Sequence, residues 1–281
     1  MQAPSWGRQE NIMAEITTDV PEAEYHAIDA MSASRLKVLD GGAPIHLTHT
    51  LAEDKDTESL RVGSAFHCLA LQPERFDGLF VVAPDVDGRT KEGKAAIAAM
   101  RETANGRVVL KAAEHERARC MADAVLADPD AKAIFAACPD RELTVIGEVT
   151  EDPALPMIRT KMRLDLRGRG LTADLKSMSG LASPRACEKY ALDWGVWLQM
   201  ALYRRLMSVA DGAFIVFVES QAPYAVSVMA MAKVDIEAYD GHLNRCIAKY
   251  RKWMADPMAG WGRGDLRLPE WKVQQLSMEE A

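Results

Sequence analysis

The sequence predicts an α/β protein: a mixed central β-sheet flanked by helices, with a helical region ahead of it. Residues 157–167 alternate with a period of two, the spacing of a strand, and residues 91–138 follow the spacing of Ala-rich, charged helices. From residue 143 onward the elements read β-β-β-α-β-β-α, with no internal repeat and no low-complexity linker. One domain with a mixed sheet fits that order better than two independent units.

Taken in order, residues 1–24 are polar and acidic and read as an irregular lead-in. Ser32 or Ser34 caps a short helix over 34–39, which Gly41-Gly42 ends. Residues 44–56 read as a turn region, and a helix over 58–71 stops at Pro73. Residues 80–83 form a short strand. The helical stretch 91–138 breaks at Asn105-Gly106 and at Asp128-Pro129. A strand over 143–150 turns at Asp152-Pro153 into the strand 157–167. That strand sets Arg159, Lys161, Arg163 and Asp165 on one face and Ile158, Met162, Leu164 and Leu166 on the other. Gly168-Arg169-Gly170 turns the chain into a strand over 171–177. Ser183 as N-cap and Pro184 at the first helical position start a helix to about 209. Strands 213–219 and 225–234 follow through Pro223, and Asp235 caps a last helix to 254. The domain thus covers 25–260, with a helical part at 31–138, a sheet core at 143–254 and a tail at 261–281.

Composition sets the outer limits. The chain has 281 residues, 48% of them apolar and 27% charged, which is ordinary for a folded domain. No apolar run approaches the length of about 20 that a membrane span needs. The N-terminus lacks a basic-then-apolar leader, so the expected location is cytoplasmic, with no membrane partner. Five scattered cysteines (68, 120, 138, 187 and 246) form no C-x-x-C pair, which argues against a disulfide framework or a thiolate metal cluster.

The chemistry concentrates on the hairpin around 168–170. It brings the strand ends bearing Asp165 and Asp174 side by side, and Lys176 shares a face with Asp174. Facing carboxylates repel, and a hard divalent cation such as Mg²⁺ relieves this, with the Leu175 carbonyl as a further oxygen ligand. Lys176 is then placed to stabilise charge developing on a phosphate. The acid-x-Lys triplet alone is weak evidence, since it recurs at Glu53, Glu92, Asp130 and Glu270; only the copy at 174 sits on a strand directly after another Asp-bearing strand. Glu148 is either a third carboxylate near the cation or an exposed strand end. Gln199 and Tyr203, four apart on one helix, face either the site or the core. Trp194 and Trp197 on that helix read as core or interface residues. His67 follows small residues on its helix, Gly63 leaving room beside the imidazole. A lone helical histidine is, however, usually a surface or a satisfied interior residue.

Together, Gly63-Ser-Ala-Phe-His67, Lys161-Met-Arg-Leu-Asp165, Asp174-Leu-Lys176-Ser and Gln199-Met-Ala-Leu-Tyr203 resemble the RecB-like branch of the PD-(D/E)XK nuclease superfamily. More narrowly they resemble the nuclease domain of RecE-type phage and prophage exonucleases (exodeoxyribonuclease VIII), over residues 24–254. Leu164 stands where the superfamily name has Pro, and Ser177 where a Thr often follows the lysine. The resemblance implies a restriction-endonuclease-like core and Mg²⁺, or Mn²⁺ in its place, on His67, Asp165 and Asp174. It implies Lys176 as the catalytic lysine beside Asp165 and Asp174, with Gln199, Tyr203 and Arg163 supporting the site or contacting DNA. It further implies 5′→3′ degradation of linear double-stranded DNA to 3′ single strands, ring-shaped homo-oligomers and a single-strand annealing partner. Two other readings remain: a DNA-processing nuclease of another RecB-like family, and a catalytically silent DNA-binding subunit with the same fold. The scattered cysteines speak against relatives that carry an iron–sulfur cluster.

The net charge of −7 argues at first against nucleic acid. Residues 159–205, however, hold ten basic and four acidic side chains, a local balance of +6 that leaves −13 for the rest. That distribution favours a DNA-facing site.

Overall fold

Capping side chains set the starts of several helices. The computed structural model describes residues 15–17, 20–53, 56–84, 89–207 and 212–262. Strand β1 (Glu15–Thr17) and helix α1 (Glu22–Ala27) precede α2 (Ala33–Gly41), where Ser32 Oγ accepts from Arg35 N. Then come α3 (Pro44–Ala52) and α4 (Glu58–Leu71), the latter capped by Thr57 Oγ1 accepting from Leu60 N. After α5 (Phe76–Leu79), strands β2 (Phe80–Val82) and β3 (Val108–Leu110) flank α6 (Lys91–Thr103) and pair in parallel as a small separate sheet. Helix α7 (Ala112–Ala127) meets α8 (Pro129–Ala137) at Asp128, whose Oδ1 caps α8 through Asp130 N and Ala131 N, with Pro129 at the position that needs no donor.

The main sheet follows: β4 (Asp140–Val149), β5 (Ile158–Gly168) and β6 (Leu171–Met178), then α9 (Pro184–Asp193), α10 (Val196–Met207), β7 (Gly212–Glu219) and β8 (Val226–Met231), closed by α11 (Lys233–Ala238) and α12 (Asp240–Ala255). Six strands lie in the order β1-β4-β5-β6-β7-β8. Every pairing is antiparallel except β6 with β7, which the α9–α10 crossover makes parallel. Alternation along β7 fills two cores: Ile215 and Phe217 pack with α2, α10 and α12, while Val216 and Val218 pack with α4, α7 and α8. The sheet is therefore sandwiched between helical layers, a mixed α/β architecture consistent with a restriction-endonuclease-like fold. Phe66 and Phe217, each under 2% exposed, anchor the two cores, and truncating either to Ala is expected to cost about 3–5 kcal/mol.

Several sequence expectations need correction. Of the irregular lead-in, residues 1–14 lie outside the described ones, but Glu15–Thr17 pairs with β4 as an edge strand and α1 follows. Residues 44–52 form α3 rather than a turn, because Pro44 suits a first helical position and tertiary contacts hold the rest: Trp253 Nε1 donates to Thr48 Oγ1, which donates to the Pro257 carbonyl. Strand β3 interrupts the helical stretch 91–138. The helix from 184 breaks at Gly195, whose φ of +62° ends α9 in the left-handed conformation that favours glycine. Ser183 occupies the N-cap position without a side-chain bond, and Asp235 lies inside the first turn of α11 instead of capping it. The alternation of β5 also breaks: Leu164 joins one core and Leu166 the other.

Candidate active site

The break in β5 falls at Asp165. The β5–β6 register runs Gly168↔Leu171, Arg167↔Thr172 and Leu166↔Ala173, and stops one step before Asp165 and Asp174 would pair. There the strands part, and Asp165 Oδ2 accepts from Leu175 N at 2.7 Å, a side chain standing in for the missing ladder carbonyl. Asp174 is 2% exposed, and its Oδ1 accepts from Gln199 Nε2 at 2.6 Å. Its Oδ2 is buried without a hydrogen bond, with Lys176 Nζ 2.5 Å away as an ion pair. The tight Gly168–Gly170 turn, with Gly170 at φ +73°, makes this juxtaposition local.

His67 comes from α4, across the cleft, with Nδ1 3.5 Å from Asp165 Oδ2. Gly63, one turn earlier, has open space where a side chain would stand and lines the same cavity of about 420 Å³. A residue that the sequence reading missed completes the group: Glu142 offers a carboxylate oxygen within 4.8 Å of the donor atoms of both His67 and Asp165. In the β4–β5 register it falls opposite Asp165, between Arg141↔Leu166 and Leu143↔Leu164, with a left-handed φ of +48° that is uncommon for a non-glycine residue. Glu148 is exposed and lies six strand positions farther along, about 20 Å away. The third carboxylate is therefore Glu142, not Glu148. No local signal separates the two, since both lie on the same face by parity and only the long-range register chooses.

The electrostatics are those of a buried acid cluster. Burial, then Asp174 and Glu142, hold the Asp165 carboxyl well above the usual range. Burial raises Glu142 to about 7, with Arg163 opposing and Glu22 and Asp174 adding. Burial and the Lys176 charge lower His67 to about 4, so it is a neutral imidazole with a free lone pair. Burial works to lower Lys176, but Asp174 and Asp165 outweigh it and leave the ammonium raised. Clustered oxygen donors and a neutral imidazole fit a divalent cation. His67, Glu142 and Asp165 are the donors that could hold it, with Asp174 and the Leu175 backbone beside them.

Gln199 and Tyr203 turn inward, both 6% exposed, and Gln199 meets Asp174 instead of Lys176. Gln199 Oε1 accepts from Lys37 Nζ at 2.8 Å, its Nε2 also reaches Tyr203 Oη, and Tyr203 donates to the Arg163 carbonyl at 2.8 Å. Arg163 itself donates to the Val20 carbonyl at 2.7 Å and lies over the Tyr25 ring. Lys161, expected on a polar face, is 4% exposed; its ammonium serves the Tyr25, His26 and Ile28 carbonyls at the end of α1. Lys189 pairs with Asp193, and Arg204 and Arg205 pair with Asp240. The local surplus of +6 is thus partly consumed inside the molecule. Trp194 is exposed, while Trp197 packs partly buried against Tyr239.

A mixed sheet whose diverging strands carry two aspartates, with a lysine two residues after the second, defines a PD-(D/E)XK-like domain. The chain belongs to the family described as a PDDEXK-like domain of unknown function (DUF3799), whose model matches residues 32–257. Its fold is similar to that of a Eubacterium rectale protein provisionally designated an exonuclease, with a TM-score of 0.58 and 13% identity over 92% of this chain and 98% of that one. The structure of SSO0001 aligns over 82% of this chain and 88% of its own at 12% identity, but its TM-score of 0.31 is too low to bear on the fold. No curated protein matches the sequence. Among the described residues, no helix is long and apolar enough to cross a membrane.

Proposed function

We propose that this chain is a divalent-cation-dependent deoxyribonuclease, an exonuclease that hydrolyses phosphodiester bonds of linear double-stranded DNA. The observation that carries the reading is the meeting of Asp165, Asp174 and Lys176 where β5 and β6 part, with His67 across the cleft. A bound Mg²⁺ or Mn²⁺ supplies Lewis-acid charge at the scissile phosphate. The protein's own groups do the rest. Asp165, Glu142 and His67 would hold that cation, the two carboxyls giving up the protons that burial favours. Asp174 is held at Oδ1 by Gln199. Lys176 brings an ammonium to the same edge, where it binds a phosphate oxygen and stabilises charge gained in the transition state. Arg75 and Arg163 line the cavity and add positive charge along the path of the backbone.

The resemblance to RecE-type enzymes extends the reading to 5′→3′ polarity, a 3′ single-stranded product, ring assembly, a single-strand annealing partner and a place in phage-type recombination in the cytoplasm. Linear duplex DNA labelled at either the 5′ or the 3′ end tests it, with closed circular DNA as control. Early release of the 5′ label with Mg²⁺, sparing of circles and loss of activity in Asp174→Ala and Lys176→Ala are expected. Inert protein with both Mg²⁺ and Mn²⁺, or full activity in the variants, overturns the assignment.

A further inference from the structure

Away from the cleft, α2 and α12 bring together three donors that the sequence keeps far apart. His242 and Cys246 are four apart on α12 and so share a face; Asp40, in the last turn of α2, meets them there. His242 Nε2 stands 2.7 Å from Asp40 Oδ1, and Cys246 Sγ stands 3.7 Å from the same oxygen. All three donor atoms lie within 4.8 Å of one another. Nε2 is buried and makes no hydrogen bond, despite that short approach. Lys249 Nζ takes the Leu39 and Asp40 carbonyls, which leaves the Asp40 carboxylate to the His and Cys.

We propose that Asp40, His242 and Cys246 form a second metal site, for a borderline-soft divalent cation of the Zn²⁺ class. A nitrogen, an oxygen and a sulfur donor at this spacing suit Zn²⁺, and the partial exposure of Asp40 and His242 leaves a fourth position to water. Burial and the Asp40 carboxylate push the Cys246 thiol up to about 12, so binding releases the thiol proton as the thiolate meets the cation. The ring proton of His242 moves to Nδ1, and the exposed Arg245 guanidinium, now 2.9 Å from Nδ1, swings into solvent. The ion pins the end of α2 to α12. Lys37, three residues before Asp40 on α2, contacts Gln199, so the pin steadies the wall of the cleft without touching its carboxylates.

Cobalt(II) on the metal-free full chain tests this, because a thiolate ligand gives a near-ultraviolet charge-transfer band that oxygen and imidazole ligands do not. One equivalent of Co²⁺ is expected to raise that band in the wild type, in Cys68→Ser and in Asp165→Asn, and not in Cys246→Ser or His242→Gln. In either of the last two, Zn²⁺ affinity is expected to fall by at least about 100-fold, the upper end of what changes outside the ligand shell cost. Unfolding midpoints without metal identify any variant that simply fails to fold. No band in the wild type, a band that needs a large excess of cobalt, or one that survives Cys246→Ser overturns the site. None of these readouts depends on DNA cleavage, so failure here and failure of the nuclease reading are separable.

Discussion

Gln199 Nε2 donates to Asp174 Oδ1 at 2.6 Å, holding one oxygen of the carboxylate whose other oxygen pairs with Lys176 Nζ at 2.5 Å. The amide cannot turn over, because Lys37 Nζ occupies its oxygen at 2.8 Å. Asp174 on β6 is thereby steered from α10, and α10 in turn from α2.

Removing that steering is expected to cost activity more than stability. Gln199→Ala leaves the Asp174 carboxylate paired with Lys176 through Oδ2 but removes the donor that holds Oδ1. Changes of this kind typically lower metal affinity or turnover by about 10–100-fold. Steady-state rates at saturating DNA, together with a Mn²⁺ titration, read the effect. A rate within about twofold of wild type assigns Gln199 to packing alone.

Gly195 transmits the same relationship from a greater distance. Its φ is +62°, and a Cβ there would stand 3.0 Å from Lys37 Cγ. Gly195→Ala is therefore expected to lose about 1–2 kcal/mol from the left-handed backbone and to push Lys37 away from Gln199. The urea midpoint reads the first effect, and a drop in nuclease rate similar to that of Lys37→Met reads the second. Loss of stability with unchanged activity would falsify the link from Lys37 to the cleft.

What the sequence made legible was local. Helix 58–71 is readable because Pro73 stops it, and the meeting of Asp165 with Asp174 because a Gly-Arg-Gly turn joins their strands. What escaped was set by distant partners. The choice of Glu142 over Glu148 depends on the β4–β5 register. Lys161 is buried because α1 presents three carbonyls to it. His242 meets Asp40, about 200 residues earlier in the chain, only through the packing of α12 on α2.

A buried ion pair between α4 and α7 should contribute to acid sensitivity. Glu114, 2% exposed, receives Arg61 Nη2 at 2.6 Å and Nε at 3.2 Å, and Lys111 N at 3.0 Å. Burial works to raise its carboxyl, but these donors prevail and hold it below 4.5. A carboxyl lowered in the folded state contributes stability above its unfolded value and loses it as the pH falls through its folded one. Stability should thus decline as the pH drops below 4.5. Glu114→Gln should be less stable at neutral pH by about 3 kcal/mol and should show a shallower acid decline. Urea unfolding of both proteins across that range checks it, and parallel pH curves count against it.

The carboxylate cluster at the cleft should reverse the sign of a familiar effect. Asp165 lies buried among Glu142 and Asp174, and an Asn there keeps an oxygen for Leu175 N while removing one of the mutually repelling charges. In mildly alkaline, metal-free buffer, Asp165→Asn is therefore expected to be more stable than wild type by about 1 kcal/mol, the gain available where function has held a strained charge in place. Mg²⁺ should raise the wild-type midpoint by mass action, since it binds the folded cluster and not the unfolded chain. The variant, lacking that ligand, should respond little. Thermal unfolding of both proteins with a chelator and with Mg²⁺ should give curves that exchange order: the variant ahead without the cation, the wild type ahead with it. If the order holds in both buffers, the cluster is an ordinary acidic surface and not a cation site, because relief of charge repulsion and loss of a ligand must pull the same substitution in opposite directions.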